Sequence, residues 1–152
     1  MENKLIFTDK SNLIFTDTRG QLIFPIKNSN FEFKECTVSI NKKNVFRGIH
    51  INDFEKLVTC IQGKILDIVI NTSGEITYYN LLPGDQILIP RNYGHAFLSL
   101  EENSILLYHF NGVFESAKFI HYSHHLKLPD NVIISEKDNK LYQTDYDIFK
   151  LT

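Results

Sequence analysis

GDQILIPRNYGH, residues 84–95, decides the fold class of this chain. A glycine turn opens onto the apolar run QILIP, the proline ends that run, and a second glycine, Gly94, stands directly before His95. An apolar run this short, bounded on both sides by turn residues, reads as a strand, because a helix needs a longer segment with its apolar residues at helical spacing. The same pattern repeats outward. ITYYNLL precedes it, HAFLSL and SILLYHF follow it, and LIFTDT, QLIFPI, ECTVSI and KFIHYS lie further out, with TSGE, PGD and EENS as turn signals between runs. KLVTCI and KILDIVI are separated by Gln62-Gly63, which predicts a hairpin over residues 57–70. Many short strands at regular spacing predict an all-β sandwich or barrel. The tail from Ser135 to Thr152 leaves room for one short helix. No internal repeat or linker interrupts the pattern, so residues 1–152 read as a single domain.

Composition narrows the function classes. The chain is 43% hydrophobic and 22% charged, an ordinary globular balance, with 16 basic against 18 acidic residues and a formal net charge of -2. That balance carries no footprint for nucleic acid or an anionic membrane surface, and no stretch approaches the roughly 20 apolar residues that span a bilayer. The reading is a soluble, unexported, cytoplasmic protein with small-molecule and protein partners. Cys36 and Cys60 both lie in apolar-rich segments without metal-ligand spacing, which predicts two buried reduced thiols.

VFRGIHINDFEKLV, residues 45–58, places Arg47, His50 and Lys56 in an apolar segment where a strand alternates between two faces. Taken singly, each has a structural explanation. His50 and His95 read as hydrogen-bonded core histidines, Tyr108 as a packing aromatic, and Arg47 and Lys56 as solvated charges. Asp138 sits in SEKDNK, a charged loop by composition, and His124 and His125 in HYSHHLK read as a solvated loop or a subunit contact.

Two motifs carry a resemblance. GDQILIPRNYGH resembles the second conserved motif of the cupin superfamily, and His50, Asn52 and Glu55 resemble its first. Metal-binding cupins use two histidines one residue apart, a glutamate and a later histidine. Asn52 replaces the second histidine here, and a neutral amide is a poor substitute for imidazole, so no metal is expected. FRGIH, KLVTCIQGKILDIVI, LIPRNYGHAF, LLYHF and IISEKD follow one another as in the dTDP-4-dehydrorhamnose 3,5-epimerase family, and the resemblance runs from about Asp17 to about Leu141. It implies a cupin-type double-stranded β-helix, or jelly roll, with a short C-terminal tail and no metal or cofactor. It also implies a homodimer exchanging an N-terminal strand that carries an Arg-Gly pair, which Arg19 and Gly20 of TDTRG match.

The activity implied is inversion of one or both carbons beside the ketone of a nucleotide-linked 4-keto-6-deoxy sugar, through an enolate. That chemistry needs a base, an oxyanion stabiliser and an acid on the opposite face. An imidazole has an unperturbed pKa of roughly 6.5 and suits the first role, more so with a carboxylate on its second nitrogen. By resemblance His50 is the base and Asp138 its partner, Lys56 stabilises the enolate oxygen, and Tyr108 is the acid. Arg47 contacts the sugar or diphosphate, His95 lines the same pocket, and Arg19, Glu35, Ser39 and Asn52 complete the substrate-binding set.

Several positions depart from the family. Its Gln-x-Asn-x-Ser-x-Ser run is here Glu35, Thr37, Ser39 and Asn41, and its Asp-Leu-Arg is Asn71-Thr72-Ser73. Phe24 replaces an acidic residue, and the segment from Phe114 to Pro129 is short. The nucleobase and sugar therefore stay open, as does the number of carbons processed. Two alternatives remain beside the epimerase: a nucleotide-sugar 3,4-ketoisomerase, whose His-Ala-His is His50-Ile51-Asn52 here, and a cupin that binds a nucleotide sugar without turnover.

Overall fold

The structure, a computed structural model, describes residues 13–27, 30–114, 118–119 and 126–142. In chain order the elements are β1 (Ile14–Asp17), β2 (Gly20–Ile23), β3 (Glu35–Asn41), β4 (Phe46–Ile51), β5 (Lys56–Gln62) and β6 (Ile65–Ile70). They continue with β7 (Ile76–Leu81), β8 (Gln86–Ile89), β9 (Gly94–Ser99), β10 (Ser104–Phe110), β11 (Lys118–Phe119) and α1 (Glu136–Tyr142). The expected all-β class, with one short helix inside the predicted tail, is the class found. His124, His125, the predicted strand beyond Phe119 and the tail beyond Tyr142 lie outside the described residues. No helix among the described residues is long and apolar enough to cross a membrane.

Strands β3-β10-β5-β8 form a four-stranded sheet, β11-β4-β9-β6-β7 a five-stranded one, and β1-β2 a separate hairpin. All pairings within these sheets are antiparallel. The inward residues of both sheets interleave: Val58, Cys60, Ile87, Ile89, Leu106, Tyr108 and Phe110 from one, Ile65, Val69, Leu81 and Phe97 from the other. This is the sandwich core, and burying its large side chains contributes about 1.5–3 kcal/mol each. A second cluster, Phe46, Ile49, Ile68, Ile70, Ala96 and Leu98, packs the outer face of the five-stranded sheet under Leu126, Leu128, Val132 and Ile134. The sheet is covered on both faces, which is why every residue of β9 is buried.

The predicted hairpin over residues 57–70 does not form. β5 is bonded on both edges, to β10 and β8, and β6 pairs with β7 and β9 in the other sheet. With both edges of β5 occupied, Gln62-Gly63 carries the chain across the sandwich instead of back along it. Gly63 makes that crossing possible: its φ is +79°, and a Cβ there would lie 2.3 Å from Ser104 Oγ. GDQILIPRNYGH crosses in the same way, since β8 and β9 belong to opposite sheets.

A second correction concerns Cys36. Both thiols are free and Cys60 is buried as expected, but Cys36 is exposed. β3 is an edge strand, and Cys36 alternates with the residues facing β10's inward side chains, so it shares the outer face with Val38 and Ile40, 56% and 66% exposed. On the same face His109, paired with Cys36, is covered by Phe33 at 4.8 Å between ring centroids, whereas Val38 and Ile40 stay exposed.

One irregularity governs the rest. Between β4 and β9 the register runs Arg47↔Phe97 and then His50↔His95, so Gly48 and Ile49 together oppose Ala96 alone. This is a β-bulge, and the extra residue reverses the face alternation beyond it. Arg47 and His50, three positions apart, therefore both point inward while Phe46 and Ile49 enter the outer cluster. Only glycine fits at residue 48: its φ is +129°, and a Cβ would stand 2.5 Å from Ala96 Cβ and 2.8 Å from the His95 carbonyl. Gly48→Ala is expected to cost about 2 kcal/mol or more, measured as a fall in unfolding free energy in urea, because both overpacking and left-handed backbone strain are imposed.

Candidate active site

Beyond Phe97, Tyr108 and Phe110 the sandwich interior stops being packed and opens as a cavity of about 480 Å³. Its lining draws on both sheets. Arg47, His50 and His95 come from the five-stranded sheet, Lys56 and Tyr108 from the four-stranded one, and Ser39 from the edge strand β3. Asn52 follows β4, and its carbonyl accepts the backbone N–H of Asn92 at 2.6 Å, which ties the loop of GDQILIPRNYGH to the cavity wall.

Asp138 stands behind His50, its Oδ1 3.6 Å from His50 Nε2, and its Oδ2 accepts the Gly48 N–H at 3.4 Å. The short motif SEKD explains how it arrives there. Ser135 caps α1, its Oγ accepting the Asp138 N–H at 3.0 Å, which fixes the first helical turn and delivers the carboxylate to the bulge. Arg47 is aimed by Asn41, whose Oδ1 accepts both Arg47 Nε and Ser39 Oγ at 2.9 Å. Glu35 lies outside the cavity; its carboxylate accepts the Phe114 N–H at 2.9 Å and so sets the aromatic at the rim. Arg19 sits exposed on the β1-β2 turn, paired with Asp17, away from its own chain's cavity lining.

The charges in the cavity are unusual. Lys56 is 3% exposed, and among the described residues its ammonium has no hydrogen bond or ion pair. Burial lowers its pKa to about 7, with the charge of Asp67 acting in the opposite direction. Burial likewise lowers the pKa of His95, and burial followed by the field of Asp67 raises that of Tyr108 well above the ordinary phenol value. Asp67 is the residue that sequence reasoning missed. It is fully buried on β6, and its Oδ1 lies 2.7 Å from His95 Nε2. The signal was present: one carboxylate inside the apolar strand ILDIVI, where no charge belongs without a partner. Asn41, behind Arg47, was marked in the sequence only as the last position of the altered run that starts at Glu35.

A family model described as dTDP-4-dehydrorhamnose 3,5-epimerase matches residues 7–145. The chain belongs to this family. The enzyme named dTDP-4-dehydrorhamnose 3,5-epimerase from Salmonella typhimurium is 29% identical over 115 residues, covering 68% of this chain and 63% of its own. The one from Mycolicibacterium smegmatis is 27% identical over 113 residues, covering 66% of this chain and 56% of its own. The chain thus spans about three-fifths of the length of the curated relatives that it matches. The crystal structure of the epimerase from Sulfolobus tokodaii superposes with a TM-score of 0.72 at 26% identity, covering 84% of each chain. The cupin-type jelly roll expected from the motifs is the fold observed.

The buried lysine has a measurable consequence for this member of the family. Between about pH 7 and 10.5 the unfolded chain holds a proton at Lys56 that the folded chain has released, so stability rises with pH across that window. Lys56→Met removes this slope. The variant is expected to melt several degrees higher than the wild type below about pH 7, and the gap should close as pH approaches 10.5, followed by calorimetry.

Proposed function

We propose that the protein is a metal-independent epimerase that inverts carbon 3, carbon 5 or both in a nucleoside-diphosphate-linked 4-keto-6-deoxy sugar. The observation that carries the reading is the pairing of His50, backed by Asp138, on one sheet with Tyr108 on the facing sheet, across a cavity holding a buried lysine. Inversion requires this two-sided arrangement. His50 removes the proton beside the ketone, and the Asp138 carboxylate favours the imidazolium that results. Negative charge develops on the ketone oxygen, and Lys56, held without a competing partner among the described residues, is free to meet it. Tyr108 returns a proton from the opposite face. Arg47, exposed at the rim and oriented by Asn41, suits a diphosphate or sugar oxygen. Family membership and the names of the relatives support the same substrate class.

The two half-reactions separate experimentally. Incubated in deuterium oxide with dTDP-4-keto-6-deoxyglucose, the wild type should incorporate deuterium at carbon 3 or 5 and form the epimer, followed by NMR. His50→Ala should reduce exchange by about 10²–10⁴-fold. Tyr108→Phe should keep exchange and lose inversion, because the base still removes and returns the proton on its own face. Absence of exchange in the wild type with dTDP-, UDP- and GDP-linked substrates removes the proposal.

The working unit on this reading is a homodimer in the cytoplasm, a compartment that suits two free thiols. The exposed cross-strand pair Phe15 and Leu22 on the β1-β2 hairpin, with Val38 and Ile40 on the outer sheet face, gives a second copy an apolar surface to cover. In that assembly the turn carrying Arg19 reaches the neighbouring subunit's cavity. Sedimentation equilibrium should return twice the chain mass, and Leu22→Lys should shift it toward the monomer.

A further inference from the structure

The carboxylate of Asp67 is fully buried, its Oδ1 is 2.7 Å from His95 Nε2, and its Oδ2 has no hydrogen-bond partner among the described residues. A carboxylate buried in this way is a poor stabiliser of a fold, since desolvation costs several kcal/mol and one oxygen recovers nothing by hydrogen bonding. Its use lies in what it does to the imidazole. An ionised carboxylate only accepts, so the nitrogen facing it, Nε2, carries the proton. Burial is the largest influence and disfavours a second proton on the ring; Asp67 opposes it, and the charges of Lys56 and His50 act with it. Nδ1 is then bare, and His95 lines the cavity. Two of its neighbours there, the Lys56 ammonium and the Arg47 guanidinium, can only donate, while the Tyr108 hydroxyl can donate or accept.

We propose that Asp67 is a positioning residue: by accepting the Nε2–H of His95 it locks the ring in the tautomer whose bare Nδ1 faces the cavity and accepts a hydrogen bond from a hydroxyl of the bound sugar. The sugar half of this statement rests on the nucleotide-sugar reading above; the tautomer half does not. An acceptor beside two donor-only cations is a selective element, because it receives a hydroxyl and leaves a deoxygenated carbon unbonded at that position.

Nitrogen-15 NMR of the full chain tests the first half without turnover. The wild type should show His95 protonated at Nε2 and bare at Nδ1, and the opposite tautomer overturns the proposal without recourse to any variant. In Asp67→Asn the carboxamide can turn an N–H toward Nε2, so the ring should change tautomer, and KM for the 4-keto sugar nucleotide should rise about tenfold with a smaller change in kcat. An inverted tautomer with KM within about twofold of wild type overturns the proposal, as does a raised KM with the tautomer unchanged. A wild type that exchanges no deuterium overturns the epimerase reading, while the wild-type tautomer still decides this one.

Discussion

Strand β4 carries one more residue than β9 between Arg47 and His50, and it can do so because Gly48 lies against Ala96 where no side chain would fit. Regular alternation would send one of the two basic side chains to the outer cluster, into the place of Phe46 or Ile49. With the extra residue both enter the cavity, and the freed Gly48 N–H meets the carboxylate of Asp138 that α1 brings up behind His50. The meeting of Arg47 and His50 in the cavity and the packing of the outer face both follow from one local departure from the ladder.

The cavity concentrates groups that a stable core avoids. Lys56, Asp67 and His95 are buried together, and the low polarity that lowers the lysine pKa also strengthens any field acting on a bound anion. The packed part of the sandwich and the second cluster on the outside of the five-stranded sheet offset this cost. The polar residues are confined to one end, beyond Phe97, Tyr108 and Phe110, so the apolar layer stays continuous where the sheets cross.

Most strands were legible because their cause is local. ECTVSI, ITYYNLL, QILIP and SILLYHF each carry β-branched or apolar residues between turn formers, and each became a strand at nearly the expected bounds. Pairing was less legible. Gln62-Gly63 has the length and chemistry of a hairpin turn, but whether it returns the chain or carries it across depends on whether β10 and β8 already hold both edges of β5. Cys36 sat in an apolar segment and proved exposed because β3 is an edge strand, a fact about its neighbours. Asp67 was visible as an anomaly in ILDIVI, but its partner His95 lies 28 residues away.

The sequence by itself determined the strand content, the turn positions, the inventory of basic, phenolic and carboxylate groups, and a family resemblance that the family match bears out. Those properties follow from residue type and short spacing, which a linear reading contains. The tertiary structure decided which groups meet: that Arg47 and His50 share a face, that Asp138 stands behind one histidine and Asp67 beside another, and that Lys56 is buried without a partner among the described residues. These depend on strand register, on a single bulge and on the order of strands within each sheet. A shift of one residue in register exchanges the two faces of a strand, so none of these meetings can be read from composition or spacing.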